Sequence, residues 1–311
     1  MSETKAIDFS FLKLDDSAKG RSLQDQAEYA RSCSGEEPYA PGPESLPVPE
    51  NPAGAVTEHE WTSRIAYPGV SRRYRVYVPK QYDSSVPANL MVFQDGEQYL
   101  REVRCDTVFD NLIAKGHIPP TIGLFVEPGN PGPGYPVYGG EGNRSIEYDS
   151  ITSDYADFLA TELIPEIKKE LNITDDPRRR AICGISSGGM CAFNAAWHRP
   201  LDFGNVISHC GSFVHLRGGF LYPTLVRRTE RKPIRVYLQT GSKDLNIILG
   251  DLVLANRELA SALAYRAYDM KFVFGEGGHT LMHASALFPD TMRWTFGDKP
   301  VRTQLPNAAE S

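Results

Sequence analysis

Apolar positions change period several times along the chain, and those changes mark out its elements. Short runs rich in Val, Ile, Phe and Tyr occur at 59–65, 74–78, 90–94, 121–126, 180–183, 205–208, 234–239 and 270–274. Each predicts a strand, and the later runs are continuously apolar, as expected of a sheet covered on both faces. Between them the apolar spacing becomes helical. The clearest case is 155–171, where Tyr155, Phe158, Leu159, Leu163, Ile167 and Leu171 share one face and Pro165 predicts a kink. Further helical patterns cover 188–198, 252–267 and 283–296. Two antiparallel-looking strands followed by alternating strand and helix predict an α/β fold. Its sheet would be doubly wound and mostly parallel, with helices on both faces, over 56–311.

Residues 1–55 break this rhythm. A helix-like stretch at 23–31 precedes a Pro/Gly/Glu-rich run at 36–54, which can form neither a continuous helix nor a central strand. An N-terminal arm that either wraps the domain or is partly disordered is expected. Two connections, 127–150 and 211–233, are too long for simple loops and leave the carboxyl ends of their strands, where open α/β sheets place their sites. They are expected to wall a substrate pocket. Tyr135, Tyr138, Phe213, Phe220 and Tyr222 would give it an aromatic lining, and Arg144 and Arg217 could receive a carboxylate or phenolate. Glu147, Tyr148 and His283 complete the substrate-binding candidates.

Composition narrows the function classes. With 41% hydrophobic and 23% charged residues, the 311-residue chain reads as an ordinary soluble globular protein. A formal charge of −6 offers no basic excess to neutralise phosphates, which argues against nucleic acid. The cationic clusters Arg178–Arg180 and Arg227–Lys232 each precede a strand pattern and read as solvated loops. No apolar run reaches the length of a membrane helix, and the first residues lack the apolar core of a secretory signal, so a cytoplasmic protein is expected. Five cysteines without CxxC spacing suggest neither a disulfide framework nor structural zinc.

The segment Gly184-Ile185-Ser186-Ser187-Gly188-Gly189 carries the chemistry. It has G-x-S-x-G spacing between an apolar strand and a helix-compatible run, the setting of a nucleophile elbow. The glycines leave room for a sharp turn that exposes Ser186. The helix that follows aims its N-terminal amides at a developing oxyanion, with the Ser187 amide as one donor. A serine hydroxyl needs a base. In the chain order of such folds the base follows the serine, and His279, ending a glycine-rich loop after the last strand, fits better than His283. The pair also reads H-x-x-x-H, but without the glutamate of H-E-x-x-H a metal site is not supported. Asp244, on the turn after the strand at 234–239, is the expected acid. Asp251 is its competitor, and either could instead cap a helix or turn. A second oxyanion donor is expected from the loop after 90–94, at the amide of Gly96 or Glu97.

These residues resemble the esterase family that includes enterochelin (siderophore) esterases and feruloyl esterases, which have the α/β-hydrolase fold. The likeness runs from about Tyr77 to Trp294 through VYVP, MVFQDGEQY, NRSIEYD, GISSGG, RVYLQTGSKD and KFVFGEGGH. It implies a serine esterase using Ser186 and His279, and supports Asp244 more weakly. The larger enterochelin esterases carry a separate N-terminal β-domain, and with residues 1–55 alone ahead of the catalytic pattern none is expected here. Together the readings imply a small-molecule ester as substrate, aromatic (hydroxycinnamate-like) or siderophore-like, with no cofactor or metal. A homodimer is left open. A lactonase or acyltransferase with the same Ser–His machinery, or a non-catalytic binding protein on this scaffold, are the alternatives.

Overall fold

A computed structural model describes residues 37–130, 143–247 and 249–297. The helix-like stretch at 23–31, Cys33, Tyr135 and Tyr138 lie outside the described residues. Eight strands form one sheet: β1 (Ala55–Thr62), β2 (Ser71–Val78), β3 (Asn89–Gln94), β4 (Thr121–Val126), β5 (Arg180–Ile185), β6 (Asn205–His209), β7 (Arg235–Gly241) and, after a two-stranded hairpin of β8 (Asn246–Ile247) and β9 (Gly250–Asp251), β10 (Met270–Gly275). Their order is β1-β2-β4-β3-β5-β6-β7-β10. β1 pairs antiparallel with β2 and β2 with β4; every other pair in this sheet is parallel. The parallel strands therefore all end at one edge, and that edge carries the chemistry.

The period-two alternation of each strand divides the core. Leu90, Val92, Ile122, Leu124 and Ile182 face one side. There they pack under the helices α3 (154–167), α4 (Ser187–His198), α5 (Tyr222–Arg228) and α6 (Leu252–Tyr265). Met91, Phe93, Phe125, Cys183 and Tyr237 face the other side, under α1 (Cys105–Ala114) and α7 (Met282–Phe296). Covered on both faces, the central strands can be apolar throughout, as their sequence predicts.

The two long connections are not structureless. The first contains α2 (Arg144–Asp149) and the second α5. Both helices are short and sit among Gly and Pro, which mask their periodicity in the sequence. Pro165 acts one turn upstream: lacking an N–H, it cannot continue the ladder, and the helix widens to a π turn at Leu159–Leu163. Arg180 is not in a solvated loop. It opens β5 with its guanidinium buried, donating to the Thr174 carbonyl (2.6 Å) and pairing with Asp175 (2.6 Å). Cys105, Cys183, Cys191 and Cys210 are all reduced and buried.

Candidate active site

Four strand ends meet at the carboxyl edge. At the end of β5, Ser186 has φ +60° and ψ −125°, a conformation that costs a residue with a Cβ about 1–3 kcal/mol. The surroundings enforce it. Its N–H donates to the His209 carbonyl (2.9 Å), and its own carbonyl accepts from Ser212 (3.0 Å) and Gly189 (3.0 Å). Gly184 is a steric requirement, since a Cβ there would lie 2.2 Å from the Gly188 oxygen, and a Cβ on Gly188 would be crowded at 3.2 Å from the Gln94 and Asp95 side chains. Ser187 opens α4, so its amide is one of the helix's unpaired N-terminal donors.

The turn after β7 and the loop after β10 are joined backbone to backbone. Ser242 donates to Gly275 (2.8 Å) and Lys243 to Gly277 (3.1 Å), while a Cβ on Gly241 would strike the Gly277 oxygen at 2.0 Å. This closeness brings Asp244 Oδ1 to 2.6 Å from His279 Nδ1. Thr240 donates to Asp244 Oδ2 (2.6 Å) and the Leu245 amide to Oδ1 (2.8 Å). Burial pushes the Asp244 carboxyl up, but the hydrogen bonds from His279, Thr240 and Leu245 outweigh it and hold the pKa below the usual range. The Asp244 side chain has no exposure, whereas His279 keeps 15%. The acid is sealed and the imidazole remains reachable. Asp251 does different work: it caps α6, with Oδ1 accepting from the Leu254 amide (3.0 Å).

After β3, Asp95 takes a left-handed conformation and is held by a bidentate pair with Arg144 (2.9 and 2.7 Å). Gly96 opens the short helical turn Gly96–Gln98, and a Cβ there would strike the Phe125 backbone at 2.5 Å. The Glu97 amide is already engaged, donating to Glu127 Oε1 (2.7 Å). Of the two amides expected as second oxyanion donor, Gly96 is the one left for that role.

Most of the side chains expected to line a pocket are packed inside instead. Glu147 is fully buried in a bidentate pair with Arg72 (2.6 and 2.9 Å). Tyr148 lies beneath Asp95, its hydroxyl accepting from the Asp95 amide (3.3 Å). Phe213 and Tyr222 join Phe193 in a buried aromatic cluster, and the Tyr222 hydroxyl donates to Asn194. His283 is buried, hydrogen-bonded to Gln239 (2.9 Å) and stacked on Tyr39. Tyr148, Phe213 and Tyr222 belong to the main core on the α3–α6 side of the sheet, whereas Glu147 and His283 are buried by polar and stacking partners. Arg217 and Phe220 remain exposed, with Arg217 donating to Ser145 Oγ (3.3 Å).

Several neighbours of the site carry little sequence signal. The Ser212 hydroxyl lies 3.2 Å from Ser186 Oγ. Its place three residues beyond β6 was the available clue, since strand ends gather at this edge. Cys210 Sγ lies within 4.8 Å of the Asp244 and His279 ligand atoms, but burial pushes its thiol pKa well up and it donates to the Gly278 carbonyl (3.7 Å). Asp149 is buried beside Ser187. Burial raises its pKa to about 6, against the opposing pull of the Ser187 and Ser145 hydroxyls and the Arg144 and Arg217 charges.

Comparison with known proteins agrees with this architecture. The iron(III) enterobactin esterase of Dickeya dadantii is 26% identical over 248 residues, covering 74% of this chain and 53% of that protein. The chain thus spans about half the length of that relative. An uncharacterized Bacillus subtilis protein, YjcH, is 26% identical over 66% of this chain and 82% of its own length. Among solved structures, the Shigella flexneri enterobactin esterase with enterobactin superposes with a TM-score of 0.66 at 20% identity, covering 84% of this chain and 63% of that one. A ferulic acid esterase from Anaeromyces mucronatus in complex with ferulic acid gives 0.69 at 16% identity, over 83% of this chain and 97% of its own. These likenesses share the α/β-hydrolase fold expected from the sequence. The Esterase family model, described as "Putative esterase", matches residues 65–294, and the chain belongs to that family.

Proposed function

We propose that the chain is a serine carboxylic-ester hydrolase working through an acyl-enzyme on Ser186. The observation that carries this reading is the 2.6 Å bond between Asp244 and His279 Nδ1. An ionised carboxylate only accepts, so Nδ1 carries the proton and Nε2 keeps its lone pair for the serine. The strained turn at Ser186, on the same sheet edge, supports the nucleophile assignment.

In the proposed cycle, Ser186 Oγ attacks the ester carbonyl as His279 Nε2 takes its proton. The amides of Ser187 and Gly96 receive the oxyanion. Collapse expels the alcohol with the proton from His279, and water repeats the sequence to release the acid. Asp244 stabilises the imidazolium formed in each half. Enterobactin and ferulic acid, named for two of the structural relatives, suggest an aromatic (hydroxycinnamate-like) or siderophore-like ester. Arg217, exposed on the loop after β6, suits a phenolate or carboxylate on such a substrate.

The test is a panel of p-nitrophenyl, hydroxycinnamate and ester-linked catecholate substrates with product analysis. One equivalent each of acid and alcohol is expected, with no requirement for an acyl acceptor other than water. Dependence on an acceptor alcohol would make the enzyme an acyltransferase. Absence of turnover across the panel would overturn the esterase reading.

A further inference from the structure

The loop bearing His279 is held from two sides. Its carbonyls face the acid turn, at Gly275 and Gly277. Its amides face a strap of chain that precedes the region matched by the family model, which begins at residue 65. On this strap a single oxygen, Glu37 Oε1, accepts from the Gly278 amide (2.9 Å) and from Thr280 Oγ1 (2.6 Å), the residues on either side of His279. Two residues further on, the Tyr39 hydroxyl accepts from the Glu276 amide (2.9 Å), and its ring stacks on His283 at 3.9 Å and 10°. The glycines of the loop make the approach possible. A Cβ on Gly275 would strike the Tyr39 hydroxyl at 2.2 Å, and one on Gly277 would come within 2.9 Å of Glu37 Oε2. The strap is itself anchored: Asn111 donates to the carbonyls of Glu44 (2.8 Å) and Leu46 (2.9 Å), and Glu44 pairs with Arg293.

We propose that Glu37 is a positioning residue for the catalytic base, clamping both flanks of His279 through one carboxylate oxygen and so fixing the imidazole between Asp244 and the nucleophile. This rests on the assignment of His279 as base. Glu37 bonds the residues flanking His279 and not its ring. Its contribution is the placement of a proton acceptor, where an error near 1 Å can cost about 100-fold in rate. Because the amide and hydroxyl both donate to the same oxygen, a glutamine carbonyl can replace it, and an alanine cannot.

The experiment uses the full chain, with active sites titrated by a fluorophosphonate and kinetics run well below the melting temperature. Glu37→Ala should lower kcat by about 10- to 100-fold with KM within about two-fold, and Glu37→Gln should recover kcat to within about three-fold of wild type. Thr280→Ala removes one of the two bonds and leaves the strap untouched. It should lower kcat less, and its effect should not add to that of Glu37→Ala. Wild-type kcat in Glu37→Ala, or equal losses in the Ala and Gln variants, overturns the proposal. Should Glu37→Ala fail to fold, wild-type kcat in Thr280→Ala overturns it equally. His279→Ala is run alongside. If it is inactive while the strap variants are normal, only the clamp is wrong. If it turns over normally, the base assignment fails and the clamp with it.

Discussion

Asparagine at position 244 gives a graded test of how the acid works. In a Ser-His-Asp site, the Asp→Asn change can cost about 10⁴ in kcat, because the amide NH2 faces the histidine and selects the wrong tautomer. The hydrogen bonds around Asp244 predict a different result. Its Oδ1 accepts from both His279 and the Leu245 amide, and a backbone N–H can only donate. Its Oδ2 accepts from the Thr240 hydroxyl, which can rotate and accept instead. An asparagine therefore settles with its carbonyl at the Oδ1 position and its NH2 toward Thr240. The tautomer survives and only the charge is lost. A hydrogen bond to a charged group contributes about 1.5–3 kcal/mol and a neutral one about 0.5–1.5, so the exchange costs about 1–1.5 kcal/mol, roughly 5- to 10-fold in rate. Asp244→Ala loses orientation as well and should cost about 10³- to 10⁴-fold. Steady-state kinetics on a p-nitrophenyl ester, with thermal melts to exclude unfolding, measure both. A loss near 10⁴ for the asparagine variant would refute the orientation argument. Normal rates in both variants would mean that His279 works without an acid.

Asp251→Ala should lower stability by about 1 kcal/mol through loss of the α6 cap and leave kcat unchanged, with Asp251→Asn near neutral in both; urea melts and kinetics check this. For Asp149, the folded pKa lies above its unfolded value, so the folded state binds the proton more tightly and stability falls as pH rises from about 4 through about 6. The ionised form then carries a penalty of about 3 kcal/mol, so Asp149→Asn should melt higher than wild type at pH 8 and about equally at pH 4. The same difference at both pH values would contradict the linkage.

Much of the scaffold was legible because the sheet is covered on both faces: β4 appears in the sequence as an unbroken apolar run with its bounds intact, and β3, β5, β6 and β7 within two residues at either end. Helices α2 and α5 were hidden because they are one to two turns long and lie in Gly- and Pro-rich connections. At the site, Ser186 and His279 stood out because glycine spacing reports the backbone shapes that their turns require. Side-chain direction was not legible. Phe213 and Tyr222 read alike as pocket wall or as core, and only packing on Phe193 separates the two. Asp244 and Asp251 are seven residues apart on similar turns, and their roles diverge because the first turn is zipped to the histidine loop and the second opens a helix. Glu37 could not be found at all: its partners lie 241 and 243 residues away.

An acyl group that passes through Ser186 can be trapped there. Rapid acid quench of wild-type enzyme with a fast-leaving p-nitrophenyl ester, followed by peptide mass mapping, should find the acyl mass on the peptide containing Ser186. The adduct should be absent from Ser186→Ala. A burst of p-nitrophenolate matching the enzyme concentration should accompany it wherever deacylation is the slower step. Acylation of Ser212, whose hydroxyl lies 3.2 Å away, or undiminished labelling in Ser186→Ala, would contradict the account.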